Sequence, residues 1–186
     1  GSLTGISAAT GLVGTALGGF GLSELSSGFS RVRMKSLGTG VSYGARRAFE
    51  LTYGRQIGGG SEVLDAASRG IFVPGSPEYA AIAALGINPQ GNTEDVARQI
   101  VMRARAIGQQ GNYQAFAEHL GTVGLSAEHV RALAATPVEE VSGYRAQENR
   151  YREQFKITDA VLRNFQKFDE ALEAAGIKIK AALTDR

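Results

Sequence analysis

The chain has 186 residues, with 20 Lys and Arg against 18 Asp and Glu, and no cysteine. An apolar content of 43% supports a buried core and argues against general disorder. The absence of cysteine excludes a disulfide framework, a thiolate metal site and a cysteine nucleophile. The charge is unevenly spread: residues 1–60 hold 15 of the 25 glycines and six basic groups against two acidic ones, while residues 61–186 hold 14 basic and 16 acidic groups.

Residues 1–23 form an apolar, glycine-rich arm, in which Gly1-Ser2 reads as an expression scar and residues 3–23 carry no charge. The uncharged stretch approaches the ~20 residues that a helix needs to cross a bilayer. Gly14 and Gly18 form a GxxxG pair of the kind that lets helices approach closely in lipid. Leu12, Val13, Gly14, Leu17, Gly18 and Phe20 are therefore the candidate membrane contacts. The many glycines also weaken an isolated helix in water, each by about 1 kcal/mol relative to alanine. Packing of the arm on the body or on a protein partner is an equally physical outcome.

Residues 24–60 read as a basic helical segment. Arg31, Arg33, Lys35, Arg46 and Arg47 lie in a stretch free of acids, which suits an anionic surface, either lipid or protein. Too little excess charge and too few stacking aromatics accompany them for specific nucleic-acid recognition. Ser42 is placed to cap a helix that follows it, and Gly58-Gly59-Gly60-Ser61 reads as a flexible joint.

Residues 61–135 read as a small helical body. Leu-Gly and similar pairs (Leu37-Gly38, Tyr53-Gly54, Arg69-Gly70, Leu85-Gly86, Ile107-Gly108, Leu120-Gly121) mark helix ends, because glycine just past an apolar run favours the left-handed cap. Ser61, Ser76-Pro77, Thr93-Glu94-Asp95, Asn112 and Ser126 mark helix starts. The only β-like run is Gly70–Pro74, and one run cannot make a sheet. The expected fold is all-α.

Residues 136–186 carry the clearest periodicity. Thr136-Pro137-Val138-Glu139 has the form of a capping box with proline in the first turn. Tyr144, Tyr151, Thr158, Phe165, Leu172 and Ile179 are spaced by seven, and Val141, Glu148, Phe155, Leu162, Asp169, Gly176 and Leu183 form the companion series. This predicts either one helix of roughly 70 Å, if unbroken to Thr184, or a hairpin broken near Lys156–Thr158. Tyr144, Tyr151, Phe155, Leu162, Phe165, Leu172 and Ile179 make an oligomerisation stripe. Its natural occupant is a second and third copy of the chain, with three-fold assembly favoured by the bulk of the aromatics.

No catalytic residue, cofactor site or metal site is expected. The two histidines, His119 and His129, lack a ligand spacing such as HExxH. The paired carboxylates Glu139-Glu140 and Asp169-Glu170 point about 100° apart on a helix and cannot flank one bond.

Residues 80–141 hold a distinctive order of segments. An apolar helix ends in Ala84-Leu85-Gly86-Ile87-Asn88-Pro89, and a polar break, Gln90-Gly91-Asn92-Thr93, follows. Next come an Arg/Ala-rich helix, a short helix ending His119-Leu120-Gly121, and Leu125-Ser126-Ala127-Glu128-His129. This order resembles segments of phage tail tape measure proteins. The resemblance implies a non-enzymatic part of such a protein, which sets tail length inside the tube and later meets the host envelope during DNA delivery. It implies tail-tube and tail-tip proteins as partners, and the virion tail lumen and then the host envelope as location. The Glu-Ser and Gly-Leu-Met-Gln signature of lytic transglycosylases is not found. The alternative expectation is a membrane-associated or pore-forming helical protein that uses the arm and the basic stretch.

Overall fold

A computed structural model describes residues 38–184, apart from the side chains of 157–162, 165–166, 168–169 and 172–184. The described residues are all-helical, with seven helices: α1 (Tyr43–Ile57), α2 (Ser61–Phe72), α3 (Pro77–Ala84), α4 (Thr93–Gln109), α5 (Tyr113–Thr122), α6 (Ala127–Ala135) and α7 (Val138–Thr184). Residues Lys35–Ala160 form one compact unit, and α7 continues beyond its last residue.

Short polar side chains start these helices by satisfying N–H groups that have no partner within the helix. The Ser42 hydroxyl accepts from the Ala45 N–H at 3.2 Å, the Ser76 hydroxyl from Tyr79 at 3.1 Å, and the Asn92 carbonyl oxygen from Asp95 at 2.8 Å. Pro77 opens α3, and Glu94 and Asp95 sit at the positive end of α4. In α6 the box is reciprocal: Ser126 accepts from the His129 N–H while the His129 ring accepts from the Ser126 N–H. Thr93, expected as a cap, is the first residue of α4 instead, and α2 begins after Gly60 with no side-chain cap.

Helix α4 is the axis of the body. Val96, Ala97, Ile100, Val101, Ala104 and Ile107 are all fully buried, and the helix packs on α2, α5 and α6. Each Ile or Val so buried contributes roughly 1.5–3 kcal/mol of transfer free energy. Around this axis lie Phe49 and Tyr53 of α1, Leu64 of α2, Ile82 of α3, Leu120 of α5 and Leu133 of α6.

Several sequence expectations give way here. The run Gly58–Gly60 is a tight turn inside the compact unit, not a flexible joint. All three residues have positive φ, and a Cβ on Gly60 would meet the Phe49 ring at 3.2 Å. Five of the glycines read as helix stops are themselves helical: Gly38, Gly54, Gly70, Gly108 and Gly121. Gly86 does have the left-handed conformation expected of a stop. Gly108 is a close approach of α4 to α6, since a Cβ there would stand 2.9 Å from the Val130 carbonyl oxygen and the Ala134 side chain. The β-like run from Gly70 enters the last turn of α2 and then a turn. Thr136 does not open α7 with a side-chain cap. Its hydroxyl donates to the Ala132 carbonyl at 2.9 Å, and its own carbonyl accepts from Arg105 at 3.0 Å, so it closes α6. The hairpin alternative is replaced by one 47-residue helix that runs through Lys156–Thr158 without a break.

Two glycine substitutions separate close approach from mere flexibility. Gly108→Ala gains helix propensity but collides with the backbone of α6, so it should destabilise by about 1–3 kcal/mol. Gly143→Ala meets no atom within 4 Å and should stabilise by roughly 0.5–1 kcal/mol. Urea unfolding of both variants checks the pair, and a stabilised Gly108→Ala would contradict the packing described.

Candidate functional site

The point where α7 meets the body concentrates the buried polar chemistry of the described residues. Side chains of α1 and α4 reach those of α7 there. Tyr144 is 3% exposed, and its ring meets the Tyr53 ring edge-on at a centroid distance of 5.2 Å. One turn further on, Glu148 is 1% exposed. Its Oε2 accepts from the Tyr53 hydroxyl at 3.2 Å and lies 3.7 Å from Arg98 Nε. Its Oε1 lies 3.5 Å from Arg152 of the same helix. Arg152 also pairs with Glu94, and Arg98 with Asp95. Glu140 accepts from both Tyr144 and Gln56, which ties the first turn of α7 to α1.

Burial dominates the electrostatics. It pushes the Glu148 carboxyl above its ordinary value of 4.5, against the opposing pull of Arg98 and the Tyr53 hydrogen bond. Burial, followed by the charge of Glu148, raises the Tyr53 phenol well above its ordinary value. Tyr144 is raised by burial and then by Glu140. Beside this junction opens a cleft of about 560 Å³, lined by polar Gln90, Asp95, Arg98 and Arg145 and by apolar Met102 and Val141. The arrangement is a clamp: tyrosines supply apolar contact, and interlocked carboxylates and guanidiniums fix the register of α7 on the body.

The sequence-predicted residues scatter. Leu12, Val13, Gly14, Leu17, Gly18, Phe20, Arg31, Arg33 and Lys35 lie outside the described residues. Arg46, assigned to an anionic surface, is instead a buried strut. Its Nη2 is 2.7 Å from Asp65 of α2 and 3.3 Å from Thr39. Arg47 does face solvent, paired at 3.3 Å with Glu50 on its own helix. The two arginines are therefore not one surface, because adjacent helical residues point about 100° apart.

Tyr144, assigned to the oligomerisation stripe, is covered by its own chain, with the Tyr53 ring against it. Tyr151 and Phe155 are half-buried. Leu162, Phe165, Leu172 and Ile179 belong to α7, with side chains outside the described residues. Glu148 appeared in the sequence only as an interruption of the companion series, and it is the centre of the clamp. The available signal was a carboxylate at a seam position with Arg152 four residues on, a spacing that places both on one helix face. His129 serves the α6 cap, and His119 is half-buried on α5. Among the described residues no cluster of His, Asp and Glu is placed to hold a metal ion, and no helix is long and apolar enough to cross a membrane.

No protein-family model, curated protein or solved structure matches the chain.

The contrast between the two neighbouring arginines is measurable. Asp65→Ala leaves the buried Arg46 without its carboxylate and should cost about 2 kcal/mol, below the full cost of a deep pair because Asp65 is partly exposed. Arg47→Ala removes an exposed pair and should cost less than about 0.5 kcal/mol. Equal losses in thermal unfolding would contradict the strut.

Proposed function

We propose that the chain is a structural, non-enzymatic part of a phage tail tape measure protein, a tail-length scaffold within the tail tube. The observation that carries this reading is α7: a single 47-residue helix whose beginning is clamped to a small helical body. Its seven-residue apolar spacing continues through Phe165, Leu172 and Ile179, beyond the last residue of that body. A length-setting element needs extent along one axis, and a helix supplies about 1.5 Å per residue. The partners proposed are copies of the chain, along with tail-tube and tail-tip proteins, and contact with the host envelope follows when DNA is delivered.

The clamp moves the start of the proposed self-assembly seam. Tyr144 is already spent inside the chain, so the seam begins near Phe155 and uses Leu162, Phe165, Leu172 and Ile179. Large apolar residues repeated every seven favour parallel copies of the helix, and the charged positions between them set the register. The membrane reading draws on residues 3–23 with Arg31, Arg33 and Lys35. Arg46 and its ion pair with Asp65 lend it no support.

Two measurements test the proposal. Inserting two heptads in phase after Ala160 should lengthen the tails of the encoding phage by about 21 Å in electron micrographs. Unchanged tail length, or absence of the chain from purified tails, would reject the reading. In the isolated protein, Phe165→Asp with Leu172→Asp should convert an oligomer to monomer in light scattering and leave the helices of residues 43–135 intact by circular dichroism. A parent that is already monomeric would remove the seam.

A further inference from the structure

Glu148 is a carboxylate withdrawn from water with incomplete compensation. At 1% exposure it has one direct hydrogen-bond donor, the Tyr53 hydroxyl at 3.2 Å on Oε2, while buried Oε1 has no hydrogen-bond partner. The two guanidiniums beside it stand at 3.7 and 3.5 Å, and each has a nearer carboxylate: Asp95 for Arg98 and Glu94 for Arg152. The cations are thus shared, and their closer contacts go to other acids. A buried charge under these conditions costs more than its ion pairs return. A protonated Glu148 still accepts from Tyr53 and carries no charge to compensate. The junction ties α7 to α1 through Tyr53 and to α4 through Arg98 and Glu94.

We infer that the Glu148 junction is a proton-responsive latch: α7 is docked most firmly when Glu148 carries a proton, and ionisation loosens the docked turns. The latch is independent of what the chain assembles with. The groups facing Glu148 are Tyr53 from α1, Glu94, Asp95 and Arg98 from α4, and Tyr144, Arg145 and Arg152 on α7 itself. The sign follows from linkage. Glu148 is raised above its ordinary value, so over that window the folded state holds the proton more tightly than the unfolded state. The stabilisation from this group is complete below the ordinary value and is lost as pH rises through the raised one. Glu94–Arg152 and Asp95–Arg98 respond the opposite way, because acid removes their negative charges. The difference between the parent and Glu148→Gln therefore isolates the latch.

Hydrogen exchange of residues 141–152 in the full chain, corrected for intrinsic rates, is compared between parent and Glu148→Gln at about pH 7.5 and about pH 4, below the ordinary carboxyl value. The variant should be better protected at the higher pH, by about tenfold for each unit by which the folded midpoint exceeds the ordinary one, and the two should converge on acidification. Lower protection of the variant at the higher pH, or a ratio that does not change with pH, would overturn the latch. Tyr53→Phe removes the one direct donor to the carboxylate, so it should move the parent's convergence to higher pH; an unmoved midpoint would overturn it as well. If Glu148→Gln does not fold, the carboxyl-carbon resonance of Glu148 in the parent decides. A midpoint above 4.5 supports the latch and one at or below that value refutes it.

Discussion

A carboxylate out of water has to be compensated, and at Glu148 three helices share that task. Tyr53 of α1 donates to it, Arg98 of α4 stands beside it, and Arg152 reaches back from the next turn of α7. These groups can converge only if α1 and α4 are already packed. Their order comes from the α4 axis, with Val96, Ile100 and Ile107 in the core, and from the Arg46–Asp65 strut that joins α1 to α2. The core therefore comes first, the polar junction is assembled on it, and α7 is oriented by the junction.

The same junction divides α7 by the company its residues keep. Tyr144 and Glu148 belong to the body, while Leu162, Phe165, Leu172 and Ile179 continue the seven-residue spacing beyond Ala160. A helix anchored at one end and patterned along its length suits a scaffold better than a freely associating coiled coil, because its starting point is fixed before copies meet. That is the physical basis for the tape measure proposal, and it places the burden of assembly on the second half of the helix.

Much of the fold was legible in the sequence. Ser42, Ser76-Pro77 and Ser126 each opened the helix expected of them, because capping is local chemistry between a side chain and N–H groups two or three residues away. Of the two outcomes that the seven-residue spacing left open, a long helix or a hairpin, the structure has the one long helix. Some failures are local, such as Thr136, which bonds back to Ala132 and closes α6 instead of opening α7; the larger ones concern partners distant in sequence. Gly108 looks the same in sequence whether it ends a helix or admits another backbone, and only the position of Val130 decides. Arg46 looked like surface charge because its carboxylate lies 19 residues away on another helix. Glu148 looked like a flaw because Tyr53 is 95 residues distant. Local rules read caps and periods, while buried polar pairing depends on tertiary neighbours that no short window contains.

The central claim is that the first turns of α7 are held by their own chain. Since the protein has no cysteine, a pair introduced as Gln99→Cys and Arg145→Cys, on opposite elements lining the cleft, gives an unambiguous cross-link. With a short bismaleimide the account predicts a link within one chain, formed equally well on dilution and running as monomer in a denaturing gel. Products made only between chains, and lost on dilution, would show that α7 is covered by another copy and would contradict it.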